Sequence, residues 1–183
     1  MRIVLASASP RRAKLLAKLG FPFEIVAPEC DESLPPGIAP APAVKLLARR
    51  KAETVAARMQ GEALVIAADT LVYCDGEFLG KPTDVDHSGS MLLKLSGKKH
   101  EVYTGVCMLN HGKNDLFAEK TTVWFEEIPQ ADLDKLARDG LDKAGAYGIQ
   151  GLAGAYISRI NGSYDNVVGL PLAAIRRKLA NGV

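Results

Sequence analysis

Leu64-Val65-Ile66-Ala67-Ala68-Asp69-Thr70 is the stretch on which the reading of this 183-residue chain turns. Its five consecutive apolar residues have the pattern of a strand covered on both faces, and the run stops at an acid. An acid at the tip of a buried strand is costly unless it is paired, hydrogen-bonded or bound to a metal. The chain continues through Leu71–Cys74, turns at Asp75-Gly76 and returns through Glu77–Leu79 to Gly80-Lys81-Pro82. Asp-Gly between two apolar runs predicts a type I′ hairpin, which would bring Lys81 back beside Asp69. Asp69 is therefore the first candidate for a functional acid. The plainer alternative is an Asp that caps a strand end, because perturbed acids mark functional sites only part of the time.

Composition narrows the classes. At 183 residues and 48% hydrophobic, the chain is long enough to bury a core as one domain, residues 1–183, with two lobes. A net charge of +2, with 24% charged and 6% aromatic residues, argues against a nucleic-acid-binding module, which needs a basic stripe interleaved with stacking aromatics. Cys30, Cys74 and Cys107 are far apart and lack metal spacing, so they read as reduced thiols of a cytoplasmic protein. The apolar run Ile3–Ala6 is too short for a signal peptide, and no stretch has the length needed to span a bilayer.

Moving outward towards the N-terminus, Arg2–Ala6 predicts a first strand. It is followed by a helix with Ser9 as N-cap, Pro10 at the first helical position and Gly20 as stop. Arg11 and Arg12 place two cations in the first turn, against the helix macrodipole. That conflict suits an anion with several oxygens, such as a phosphate chain. Phe23–Ala27 predicts a second strand, and residues 28–42 a long loop carrying Glu29, Asp31 and Glu32. A helix over 42–59 follows, with Val44, Leu47, Ala48, Ala52 and Val55 on its apolar face. Lys51 falls in the middle of that face. Either it snorkels outward or it points into a cleft and binds an anion.

Towards the C-terminus the pattern predicts a helix over 84–96, strands over 101–109 and 116–125, and a helix over 129–139. A strand over 155–160 and a closing helix over 171–180 complete it. Gly105 marks a place where backbone or ligand comes close. Residues 140–154 are unusually rich in glycine, as in a loop whose backbone approaches something closely. Parallel units early, hairpins in the middle and helices outside predict an α/β (mixed α+β) fold, with a cleft at the strand ends.

Taken together, these segments resemble the Maf-like nucleoside triphosphate pyrophosphatases. The matching motifs are Ser7–Arg12 (SASPRR), Leu47-Ala48-Arg49 with Lys51-Ala52, Ala68-Asp69-Thr70, Gly80-Lys81-Pro82 and Tyr103-Thr104-Gly105-Val106. They continue with Asp142–Gly151 (DKAGAYGIQG), Asn161–Tyr164 (NGSY) and Val168–Pro171 (VGLP). One departure is Arg138-Asp139-Gly140-Leu141, which lacks the Glu-Pro that often precedes the glycine-rich motif.

The resemblance implies a two-lobed fold with a central mixed sheet and an active-site cleft, like that of the inosine triphosphate pyrophosphatases. It also implies hydrolysis of a nucleoside triphosphate to the monophosphate and pyrophosphate, a divalent cation (Mg²⁺ or Mn²⁺) and a homodimer. On this resemblance Asp69 is catalytic and shares the metal with Glu32. Ser7, Arg11, Arg12, Lys51, Thr70, Lys81 and Gln150 bind substrate. The clade acting on N7-methylated GTP carries Trp, Gln and Glu where this sequence has Arg11, Thr70 and Gln150, so the resemblance points to dTTP and UTP. The competing reading is a non-catalytic nucleotide-binding regulator of septum formation.

Overall fold

Residues 2–181 are described here, from a computed structural model. The chain runs β1 (Ile3–Ala6), α1 (Pro10–Ala17), β2 (Glu24–Val26), α2 (Pro40–Ala56), β3 (Leu64–Cys74), β4 (Glu77–Leu79) and α3 (Val85–Leu95). It continues with β5 (Lys99–Asn110), β6 (Lys113–Phe125), α4 (Gln130–Asp139), 3₁₀ turns at Ala144–Ala146 and Leu152–Tyr156, β7 (Ile157–Asn161), α5 (Tyr164–Val168) and α6 (Leu172–Ala180). The strands form one mixed sheet in the order β2-β1-β3-β5-β6-β7, with β4 paired to β3. β1 is parallel to both β2 and β3, whereas β3/β4 and β6/β7 are antiparallel. The predicted mixed α/β class is the observed one. Among the described residues no helix is long and apolar enough to cross a membrane.

Local signals account for most element ends. Ser9 caps α1, its side chain accepting from the Arg12 N–H at 3.4 Å, and Asp84 caps α3 through the His87 N–H at 2.8 Å. The β3–β4 turn has Asp75 at φ 50° and Gly76 at φ 86°, the two positive values that a type I′ hairpin requires.

Three boundaries differ from expectation. β3 does not stop at Asp69. It runs on to Cys74, because the fully buried segment Leu64–Asp69 hands over to an alternation in which Val72 and Cys74 are buried and Leu71 and Tyr73 half-buried. α2 begins at Pro40 rather than residue 42, since a proline in the first turn lacks only an N–H that would be unpaired there anyway. The turn between β5 and β6 narrows to His111-Gly112, and the short helix α5 carried no sequence signal.

The chain packs as two compact units. The first comprises Met1–Asp69, Thr104–Glu119 and Gly169–Val183; the second comprises Thr70–Tyr103 and Lys120–Val168. In the first, Val4 and Ala6 of β1, Val65 and Ala67 of β3, and Cys107 of β5 share a core cluster with Ala48, Ala52 and Val55 of α2. These contacts are mostly small, so α2 lies close on the strands. A Cβ on Gly105 would meet the Val44 carbonyl oxygen at 2.3 Å and the Lys45 nitrogen at 2.7 Å, both backbone. The close approach anticipated at Gly105 is thus helix against strand.

The second unit has a core cluster that joins Val72, Cys74 and Leu79 to Met91, Leu92 and Leu95 of α3, Leu133 and Leu136 of α4, and Phe125 and Tyr147. Ser88, fully buried in α3, donates to the Ala137 carbonyl at 2.7 Å and ties the two helices together. This core holds one polar oddity. His100 is buried with its Nε2 2.7 Å from the Tyr147 hydroxyl, and its Nδ1 has no hydrogen-bond partner. Burial pushes the His100 pKa down to about 4, so the ring is neutral at physiological pH. An unmade buried hydrogen bond costs about 1–3 kcal/mol.

Gly105 supplies a test of the α2 packing. Gly105→Ala should lower stability by about 3 kcal/mol or more, since backbone cannot swing away as a side chain can. Denaturant unfolding measures this, and wild-type stability would mean that α2 and β5 can separate freely.

Candidate active site

Lys51 is the centre of the first unit's polar chemistry. Its Nζ donates to Asp69 Oδ1 at 2.5 Å and pairs with Glu32 Oε1 at 2.6 Å. The side chains of Lys51 and Asp69 are each 11% exposed, whereas that of Glu32 is 63% exposed. Lys51 sits among Ala48, Ala52 and Val55, which are fully buried, so the small residues that seat α2 also deliver the ammonium to the strand. Burial by itself would lower the Lys51 pKa. Asp69 and then Glu32 outweigh it by charge and hydrogen bonding, and the pKa is raised. The Lys51 side chain is turned inward onto Asp69 and Glu32 rather than snorkelling outward.

Glu32 lies on an irregular loop, yet the loop is fixed on both sides of it. Arg50 donates to the Asp31 carbonyl at 3.2 Å and to the Ser33 carbonyl at 2.6 Å. Asp31 closes the turn by accepting from the Ser33 N–H at 2.8 Å and hydroxyl at 2.6 Å. This clamp by Arg50 was not anticipated from the sequence. The signal was present: an Asp-x-Ser turn motif around Glu32, and an arginine next to Lys51.

Ser7 follows β1, 3% exposed. Its Oγ accepts from the Ser9 N–H at 3.1 Å, which sets the approach to α1. Arg11 and Arg12 are half-buried in the first turn of α1, a turn with no acid in it. Arg12 Nε donates to the Gly169 carbonyl at 2.8 Å, so part of its conflict with the macrodipole is relieved within the chain. Burial lowers the Arg12 pKa, Asp69 and Glu32 oppose that, and Arg11 adds to it. Cys30 feels Lys51, Glu32 and Asp69 as well, but burial dominates and raises its thiol pKa.

The first unit therefore brings together Glu32, Lys51 and Asp69, with Arg12 within electrostatic reach. Ser7 and Arg11 belong to the same unit, whereas Thr70, Lys81 and Gln150 belong to the second. Thr70 is half-buried in β3, and Lys81 is exposed two residues past the last β4 pair, Val72 with Leu79. Gln150 is exposed on a turn of the glycine-rich loop. The Gly145 N–H donates to the Gly80 carbonyl at 2.9 Å, joining that loop to the segment carrying Lys81.

Two carboxylates thus meet one buried ammonium, with Arg12 of the first turn of α1 within electrostatic reach. Comparison with known proteins gives the family. The family model described as Maf-like protein matches residues 2–182, and the chain belongs to this family. It is 45% identical over 180 residues to a dTTP/UTP pyrophosphatase of Syntrophomonas wolfei, covering 96% of this chain and 95% of that one. The dTTP/UTP pyrophosphatase of Vibrio cholerae is 45% identical over 173 residues, covering 93% and 92%. That of Carboxydothermus hydrogenoformans is 44% identical over 183 residues, covering 98% and 97%.

Lys51 is the partner whose loss should be felt most. Lys51→Met leaves Asp69 buried without its cation and should destabilise by about 3–5 kcal/mol. Adding Asp69→Asn should recover part of that loss. Equal unfolding free energies for the single and double variants would show that the pair is not coupled.

Proposed function

We propose that this protein hydrolyses nucleoside triphosphates, with dTTP and UTP preferred, to the monophosphate and pyrophosphate. The observation carrying this reading is the buried Asp69–Lys51–Glu32 cluster in a chain whose full-length relatives bear the name dTTP/UTP pyrophosphatase. Asp69 orients and deprotonates the water that attacks the α-phosphate. Lys51, held beside Asp69, and Arg11, Arg12 and Lys81 meet phosphate charge. Ser7 and Thr70 contribute hydroxyls to the substrate.

Glu32 and Asp69 suit a divalent cation such as Mg²⁺ or Mn²⁺. Both offer hard oxygen, and among the described residues no cluster of three or more His, Cys, Asp or Glu is arranged for a metal. A two-carboxylate site leaves the remaining ligands to phosphate oxygens and water, the usual mode for Mg²⁺ with a nucleotide. When bound, the cation would offset negative charge developing on the phosphates.

Gln150 reads the base. Uracil and thymine present an N3–H flanked by carbonyls, and a carboxamide has one acceptor and one donor side by side to match that edge. A Glu offers only acceptors, which suits the paired N–H donors of guanine.

Two measurements test this reading. Incubation with UTP and a divalent cation should release pyrophosphate, with orthophosphate absent. Asp69→Asn should lower kcat by about 10²–10⁴-fold while the fold survives, because Lys51 retains Glu32. Diphosphate and orthophosphate as products, or wild-type turnover in Asp69→Asn, would overturn the assignment. Separately, Gln150→Glu should lower kcat/KM for UTP and dTTP far more than for GTP. An unchanged UTP-to-GTP ratio would remove the base-reading role.

A further inference from the structure

Tyr147 stands three residues before Gln150, and its hydroxyl is the group that meets buried His100. The loop around it is under constraint. Gly145 has φ 68°, and Ala146, fully buried, has φ 60°, a left-handed value that a Cβ makes unfavourable. Downstream, the turn is closed by the Gly151 N–H to the Gly148 carbonyl at 2.9 Å. It is pinned at its far end by the Leu152 N–H to Asp139 Oδ2 at 3.2 Å. Its near end is fixed by Tyr147, whose ring lies edge-on to Phe125 with centroids 4.8 Å apart and to His100 at 5.3 Å.

A core site asks only for volume, and Phe at both positions 100 and 147 would fill nearly the same space with no unpartnered polar atom. The His–Tyr pair keeps one directed hydrogen bond and leaves His100 Nδ1 unsatisfied. What the bond adds beyond packing is a fixed position for the Tyr147 backbone, and so for the turn that follows it.

We propose that the His100–Tyr147 hydrogen bond is a positioning latch that holds the Gly148–Gly151 turn so that Gln150 discriminates uracil and thymine from other bases. His100 and Tyr147 act through Gln150 and do not touch substrate. The selectivity part of the proposal rests on the base-reading role given to Gln150 above.

Tyr147→Phe and His100→Phe in the full chain test it, since both keep an aromatic ring against Phe125. Both should fold. Amide exchange over residues 144–151 should quicken by about tenfold or more as the loop loosens. KM for UTP should rise with kcat little changed, and the UTP-to-GTP ratio of kcat/KM should fall by about fivefold or more. The double variant should lose no more selectivity than either single one, because both remove the same bond. Unchanged exchange over 144–151, or selectivity losses that add in the double variant, would overturn the latch. Gln150→Glu measured alongside separates the two assignments. Changed selectivity there with unchanged selectivity in both latch variants overturns the latch alone. Unchanged selectivity in Gln150→Glu overturns the base-reading role and, with it, the selectivity function of the latch.

Discussion

Placing an ammonium inside the first unit is the constraint on which its architecture depends. Lys51 is buried at the centre of an alanine-lined helix face, and a cation there is tolerable only because Asp69 and Glu32 both reach it. Each part of the surrounding structure serves that meeting. Small residues on α2, β1 and β3, together with Gly105, let the helix lie close enough for a lysine side chain to span the gap. The strand holds Asp69 at a fixed height. The Arg50 clamp prevents Glu32 from drifting with its loop. A buried ion pair of this kind adds little net stability, which is consistent with its being kept for chemistry.

The candidate residues divide by chemistry: Glu32, Lys51, Asp69, Arg11 and Arg12 belong to the first unit, while Thr70, Lys81 and the neutral amide of Gln150 belong to the second. Phosphates and a metal demand full charges. On the proposed reading of Gln150, a pyrimidine edge demands a matched donor and acceptor at a defined position, and so a stiff loop more than a strong field. The His100–Phe125–Tyr147 aromatic group and the Asp139 contact at Leu152 give the second unit that stiffness.

Much of this was legible from the residues alone. Capping at Ser9 and Asp84, the Asp75-Gly76 turn and the helix periodicities depend on neighbours in sequence, and local rules capture them. Lys51 was flagged because one charge in an apolar helical face is a conflict visible in sequence. The misses share a cause. The continuation of β3 past Asp69 depends on strand pairing, the Arg50 clamp on a loop folding back over a helix, and the His100–Tyr147 bond on two residues far apart in the chain. None leaves a periodic trace, and each becomes visible only when distant segments meet. Lys81 was flagged by the Asp75-Gly76 hairpin, whereas Thr70 and Gln150 were singled out by family motifs alone, since nothing in their local chemistry distinguishes them.

The first unit has segments on both sides of the second in sequence, and a third, Thr104–Glu119, between the second unit's two parts. During synthesis β1 and α2 emerge early, yet Leu172, Ala174 and Ile175 of α6, all buried, arrive last. So does Lys178, which pairs with Asp115 at 2.6 Å. The second unit is complete by residue 168 and has all its core residues available while the first still lacks its final helix. The polypeptide therefore completes the unit that carries Gln150 before the helix that finishes packing in the unit around Asp69 is made.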